Sequence, residues 1–226
     1  MPVSRPAGDT GAADPAVTAV LAAYAAGAAA EHAVLAAVAA SRLLVPVVAV
    51  LAEADDGTVP PALASGHSAP FGPGSEKETE MALPTLIGND GRKAVIAFTG
   101  TDTVKRWRPD ARPVPVPAAQ LWPAVAAEQA DAVVIDVAGP VPLVIEGARL
   151  RALADGAPPP LPHADPDIRT EVAAVTADFI LGPGGPDADL TITLKSKDLA
   201  GARAAAEAIA ARLAPRLRRG IAFRME

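Results

Sequence analysis

The sequence predicts an α/β (α+β) fold, with a mixed sheet and helices in an N-terminal domain and a small β-β-α-β unit after it. Three observations predict it. Apolar residues at helical spacing, such as Val17, Val20, Leu21 and Tyr24, alternate with short apolar runs, continuous at 43–51 and broken only by Asp136 at 132–137, the pattern of helices interleaved with buried strands. A proline-rich stretch at 156–166 divides the chain, carrying Pro158, Pro159, Pro160, Pro162 and Pro166. Beyond it the pattern becomes strict alternation, with Leu190, Ile192 and Leu194 directed inward and Thr191, Thr193 and Lys195 outward.

The elements follow in order. Residues 1–14 contain no apolar signal core and read as a disordered tail. Asp14-Pro15 is a helix cap followed by proline at the first helical position, and Gly27 breaks that helix. A second helix is predicted over 30–40 and a buried strand over 43–51. Residues 53–75, with Asp55-Asp56-Gly57 and Gly72-Pro73-Gly74, read as a mobile loop. A hairpin is expected from 81–87 to 93–99 across Asn89-Asp90-Gly91, and a short helix at 101–107. Alternating prolines hold 112–117 extended and without ladder donors, which places it at a sheet edge. Residues 117–130 are helical apart from Pro123, 132–137 is a central strand, 140–145 another strand, and 148–153 a closing helical turn. After the linker come strands at 175–181 and 190–195 and a helix capped by Asp198, with Leu199, Ala202, Ala206, Ile209, Leu213 and Leu217 on one stripe. A last strand occupies 221–225. The domains expected are 15–155 and 167–226.

Composition excludes more than it assigns. Half of the 226 residues are hydrophobic, enough for a sizeable core, but the aromatics are only Phe 4, Trp 2 and Tyr 1, so platforms for stacking bases are scarce. The absence of cysteine excludes disulfide scaffolds, thiolate metal sites and cysteine nucleophiles, and fits a cytoplasmic protein. The apolar stretch at 16–52 is interrupted by Glu31, His32, Arg42 and Pro46, so no membrane span is predicted. The net charge of −6 makes nucleic acid an unlikely partner, although residues 201–226 carry six Arg against two Glu. The 15 Arg to 5 Lys, with a single Asn, fit codon bias in a GC-rich bacterial genome.

Three segments carry a family resemblance. The run Ala40-Ser41-Arg42-Leu43-Leu44-Val45-Pro46-Val47, the stretch from Glu76 to Pro84, and the hairpin Asn89-Asp90-Gly91-Arg92 leading into Ala97-Phe98-Thr99 resemble the bacterial SseB-like family of enhanced-serine-sensitivity proteins. Residues 133–153 are similar to the end of that family's N-terminal domain, and Glu171 to Ala177 resembles the start of its short C-terminal region. The resemblance implies a cytosolic α/β domain with no established active site to transfer. Where family members often show Asn-Pro after the central strand, this chain has Asp136-Val137-Ala138-Gly139-Pro140.

Candidate chemistry is sparse. His32, His67 and His163 lack the short spacing of metal ligands, no G-x-S-x-G elbow is present, and the prolines of Gly182-Pro183-Gly184-Gly185-Pro186 remove the amides a phosphate cradle needs. No metal, no nucleotide and no other cofactor is expected. Asp136 stands at the carboxyl end of a buried strand, where α/β sheets commonly place sites, though a carboxylate bonded within the Gly139 turn is the commoner arrangement. Trp107 and Trp122 suit either interface anchors or core filling. Arg212, Arg216 and Arg219 share one face if the helix continues past Pro215, forming a basic ridge. The expectation is a non-catalytic protein-interaction or regulatory module, with a protein partner or self-association. The alternatives are a small-molecule-binding protein or unusual enzyme linked to amino-acid metabolism, with Asp136 and Glu146 lining a cleft, and an RNA-associated protein using the C-terminal arginines.

Overall fold

The computed structural model describes residues 9–47, 85–88, 91–196 and 198–226. In chain order the described elements are α1 (Pro15–Ala25), α2 (Glu31–Ala39), β1 (Arg42–Val47), β2 (Thr85–Ile87), β3 (Lys93–Ala97), α3 (Thr101–Trp107), β4 (Arg112–Pro117), α4 (Ala118–Ala127), β5 (Ala132–Ile135), β6 (Leu143–Glu146) and α5 (Gly147–Ala154). A 3-10 turn (Pro162–Ala164), α6 (Pro166–Ala173), β7 (Phe179–Pro183), β8 (Leu190–Leu194), α7 (Leu199–Leu213) and β9 (Ile221–Met225) complete the chain. The fold is α+β with mixed sheets. The expected loop at 53–75, residues 81–84 of the hairpin and its Asn89-Asp90 turn lie outside the described residues.

Two compact units result: Met1–Pro15 with Val38–Glu146, and Ala16–Ala37 with Gly147–Glu226. This corrects the predicted division into 15–155 and 167–226. The proline-rich segment 156–166 lies inside the second unit, where Pro159 and Asp165 are buried, and serves as no boundary. The reason is a set of long-range bonds that no local pattern announces. The Tyr24 hydroxyl meets the carbonyls of Pro215 and Arg216, each at 3.0 Å, and Glu31 pairs with Arg149 and Arg216.

In the first unit, β2, β3, β5 and β6 form a sheet in that order, with β3 and β5 parallel and the outer pairs antiparallel. The apolar run of β5 puts it between two neighbours, as its lack of alternation predicts. β1 and β4 form a separate antiparallel ribbon, in which Pro113 faces Pro46 and Pro115 faces Leu44, so missing amides cluster on a strand with one partner. Leu44 and Phe98 exchange backbone hydrogen bonds of 2.7 and 2.8 Å, tying the ribbon to the end of β3. Leu44, Ile96, Phe98, Val104 and Ala111 are buried together, with Leu86, Trp107, Val134 and Val137 against them.

Residues 9–14 correct the expected tail. The Asp9 carboxylate takes both Nε and Nη2 of Arg42 at 3.0 Å, and the same guanidinium reaches the carbonyls of Thr99 and Ala12. Thr101 donates its amide to Gly11, whose own amide reaches Asp9. Gly100 lies so close to this strap that a Cβ there would meet the Ala13 nitrogen at 2.8 Å.

The second unit contains the predicted β-β-α-β succession. β7 and β8 are antiparallel, and β8 and β9 are parallel across α7. Leu190, Ile192 and Leu194 face Ile168, Val172, Ala202, Ile209, Leu213 and Leu217 in the core. The alternation of β8 is reproduced residue by residue in its burial. Sequence reading missed α6, although Asp165-Pro166 repeats the signature used for α1: Asp165 caps the helix by accepting from the Asp167 amide, with Pro166 at the first helical position.

Candidate functional site

Asp136 follows β5 directly and takes a left-handed backbone, φ +52°, which Asp tolerates better than most residues. Its amide still reaches the Ala97 carbonyl, so the ladder with β3 ends at this residue. The buried carboxylate accepts from the Thr99 amide at 2.9 Å, the Thr99 hydroxyl at 2.7 Å and the Thr103 hydroxyl at 2.6 Å. Its backbone carbonyl, not its side chain, accepts from Gly139, which corrects the expected turn arrangement. A Cβ at Gly139 would lie 2.8 Å from the Asp136 Cβ, so glycine is required by close approach. Asp136 therefore ties the end of β5 to the start of α3. Glu146 does not share a cleft with it: Glu146 pairs in register with Ala132, at the other end of β5, and binds Arg92.

The two tryptophans separate. Trp122 is 2% exposed, so it fills the core, and its indole N–H has no hydrogen-bond partner among the described residues. Trp107 is half-buried at the end of α3, its ring 5.6 Å from that of Phe98, with the Arg108 guanidinium 6.0 Å above it.

The expected basic ridge does not form. α7 ends at Leu213 before Pro215, so Arg216 and Arg219 are not on its face, and all three arginines answer carboxylates of the same unit. Arg212 meets Glu171 at 2.8 Å in an exposed pair of little energetic weight. Arg216 reaches Asp165 at 2.5 Å and Glu31 at 3.3 Å, and Glu31 also receives Arg149, giving two acids and two guanidiniums in one largely buried cluster. Burial works to lower the Arg216 pKa, but Glu31 and Asp165 outweigh it and raise it above its ordinary value. Burial first, and then the charge of Glu31, push the nearby Tyr24 phenol up.

Arg219 binds the Gly185 and Pro186 carbonyls through its side chain, and its amide donates to Asp189 at 3.0 Å. Burial raises the Asp189 pKa despite those Arg219 bonds. A carboxyl that holds its proton more tightly when folded favours the native state most at low pH. That contribution is lost as pH rises from the unfolded value through the raised folded one. Asp189→Asn keeps an acceptor for the Arg219 amide, so its stability relative to wild type should increase as pH rises through this window. Urea denaturation of both forms across acidic to neutral pH measures the sign.

Sequence reading missed the exposed basic run that remains. Lys105, Arg106 and Arg112 are exposed, and neither an ion pair nor a side-chain hydrogen bond holds them among the described residues; they flank Trp107 and Arg108. The signal was present as Lys105-Arg106-Trp107-Arg108, cations around an aromatic residue. Among the described residues no three His, Asp or Glu side chains gather as metal ligands, and no helix is long and apolar enough to cross a membrane.

No curated protein and no solved structure matches the chain. A family model does: the SseB protein N-terminal domain matches residues 17–152, from the first turn of α1 into α5. The match draws on residues of both compact units and stops before the segment whose likeness to the family's C-terminal region was read from Glu171 to Ala177. With more than half of its 226 residues matched, the chain belongs to the SseB family.

Proposed function

We propose that the protein is a non-catalytic interaction or regulatory module that meets another protein through strand edges and exposed patches, in the cytoplasm of a bacterial cell. The observation that carries this reading is the sheet of the second unit. Among the described residues both outer strands, β7 and β9, pair on one side only, and each bears a large exposed apolar side chain, Ile180 at 47% and Met225 at 46%. An edge strand with unpaired amides and carbonyls is a template for a partner strand, and natural proteins normally blunt it with charge. Added strands take affinity from main-chain bonds and specificity from alternate side chains, the role that Ile180 fits. Ile87 repeats the feature on β2, 57% exposed.

The test is affinity purification of the tagged full chain from its own cells, as wild type and as Ile180→Lys. The substitution replaces an exposed side chain, so stability should move by no more than about 0.5 kcal/mol. Recovery of the partner should fall by about tenfold, because a buried anchor of this kind carries over 1 kcal/mol of binding. Undiminished recovery removes the β7 edge from the interface, and failure of the wild type to retain any partner overturns the reading.

A further inference from the structure

We propose that the corner formed by the end of α3 and the start of β4 binds a short acidic segment of another protein. The inference rests on the interaction-module reading and names a partner chemistry for a different surface of the molecule. Lys105, Arg106, Arg108 and Arg112 stand against Asp110 alone between 105 and 112, a local charge of +3 in a chain of −6, which leaves −9 on the rest. In other parts of the molecule Arg42, Arg149, Arg212, Arg216 and Arg219 meet carboxylates. Among the described residues of this corner only Arg108 has an acid, Asp110 at 3.4 Å, in a pair open to solvent; Asp102 lies one turn earlier on α3. Lys105, Arg106 and Arg112 are exposed and have no ion pair among the described residues.

The size and the ring favour carboxylates over a nucleic acid. With three helical residues at one end and a turn at Pro109-Asp110, the stretch 105–112 spans at most about 20 Å, the length of roughly six residues of extended peptide. A nucleic acid carries its charge well beyond that distance, over a surface that is otherwise acidic. Base stacking would require an open face of Trp107, but Arg108 lies over one side and Phe98 is packed against the ring. A carboxylate can bind the Arg108 guanidinium where it stands, and an apolar residue next to it can rest on the exposed part of Trp107. Steering by the free cations gives such a segment a fast, salt-dependent approach.

The probe is a fluorescein-labelled peptide, Glu-Glu-Phe-Glu-Asp-Glu, titrated with the full-length protein by fluorescence polarisation. Its Gln/Asn counterpart and an oligouridylate of equal length are the comparisons. Two variants carry equal charge changes on exposed cations: Lys105→Glu with Arg112→Glu at the corner, and Lys195→Glu with Arg224→Glu in the second unit. Circular dichroism and the melting temperature confirm that both are folded. The expected result is binding of the acidic peptide that the corner reversal weakens by about tenfold or more and the other reversal by less than about twofold, with further weakening as salt rises. Equal loss in both variants, no preference over the Gln/Asn peptide, or tighter binding of the oligouridylate overturns the proposal. A native partner captured equally by wild type and the corner variant also overturns it while leaving the interaction-module reading intact. Capture of none removes that reading, and the peptide titration still decides whether the corner takes acids.

Discussion

Glu31→Ala is expected to lower stability by about 3–5 kcal/mol, the usual cost of taking one partner from a buried ion pair. Glu31 is 6% exposed in its side chain and serves both Arg149, at 3%, and Arg216, at 19%. Removing it withdraws the carboxylate from two guanidiniums, and Arg149, the more buried of them, cannot be rehydrated without opening the unit. Asp165 offsets part of the loss for Arg216. A melting-temperature decrease on the order of 10 °C should follow for a chain of this size. Glu31→Gln separates charge from shape: it preserves an acceptor but not the neutralisation, and should fall between wild type and Ala. The double variant Glu31→Met with Arg149→Met tests the cause. If buried charge left without its counterpart is the source of the loss, removing both charges should recover much of it. A double variant no better than Glu31→Ala would assign the loss to packing instead.

What was legible in the sequence is what neighbouring residues determine. The prolines at 113, 115 and 117 allow only an extended strand with few donors, and the alternation of 190–194 has one solution against a single covered face. The short α3 and the final β9 follow from equally local patterns. The charge cluster of the second unit was not legible, because Glu31 finds Arg149 across 118 positions and Arg216 across 185, and no periodicity encodes such a pairing. The same cluster explains two errors at once. It draws α1 and the start of α2 into the unit of the C-terminal strands, and it occupies an arginine that spacing alone had placed on an open ridge. Asp9 illustrates the converse: a polar segment without hydrophobic pattern is held by a bidentate contact to Arg42. At Asp136 the position at a strand end was readable, but the two threonines that use up its oxygens were not, since Thr99 and Thr103 lie 37 and 33 residues away.

Asp136→Ala is expected to cost about 3 kcal/mol. It leaves the buried Thr99 amide and the Thr99 hydroxyl without their acceptor, while the Thr103 hydroxyl can still donate to the Gly100 carbonyl at 2.9 Å; one buried unsatisfied group costs about 1–3 kcal/mol. It also puts alanine at φ +52°, a left-handed backbone that alanine tolerates less well than aspartate. Asp136→Asn should cost only about 1 kcal/mol. Its amide oxygen can accept from the Thr99 amide and the Thr103 hydroxyl, the Thr99 hydroxyl can turn to accept from the new NH2, and asparagine tolerates the left-handed region. Urea denaturation of wild type and both variants measures the series, with Thr103→Val as an independent removal of one donor. A structural tie between β5 and α3 requires that Ala be the worst, that Asn and Val be mild, and that partner recovery follow folded fraction in every variant. Loss of partner binding in Asp136→Asn at unchanged stability would give the carboxylate a role beyond holding the corner, through its charge or its second acceptor oxygen.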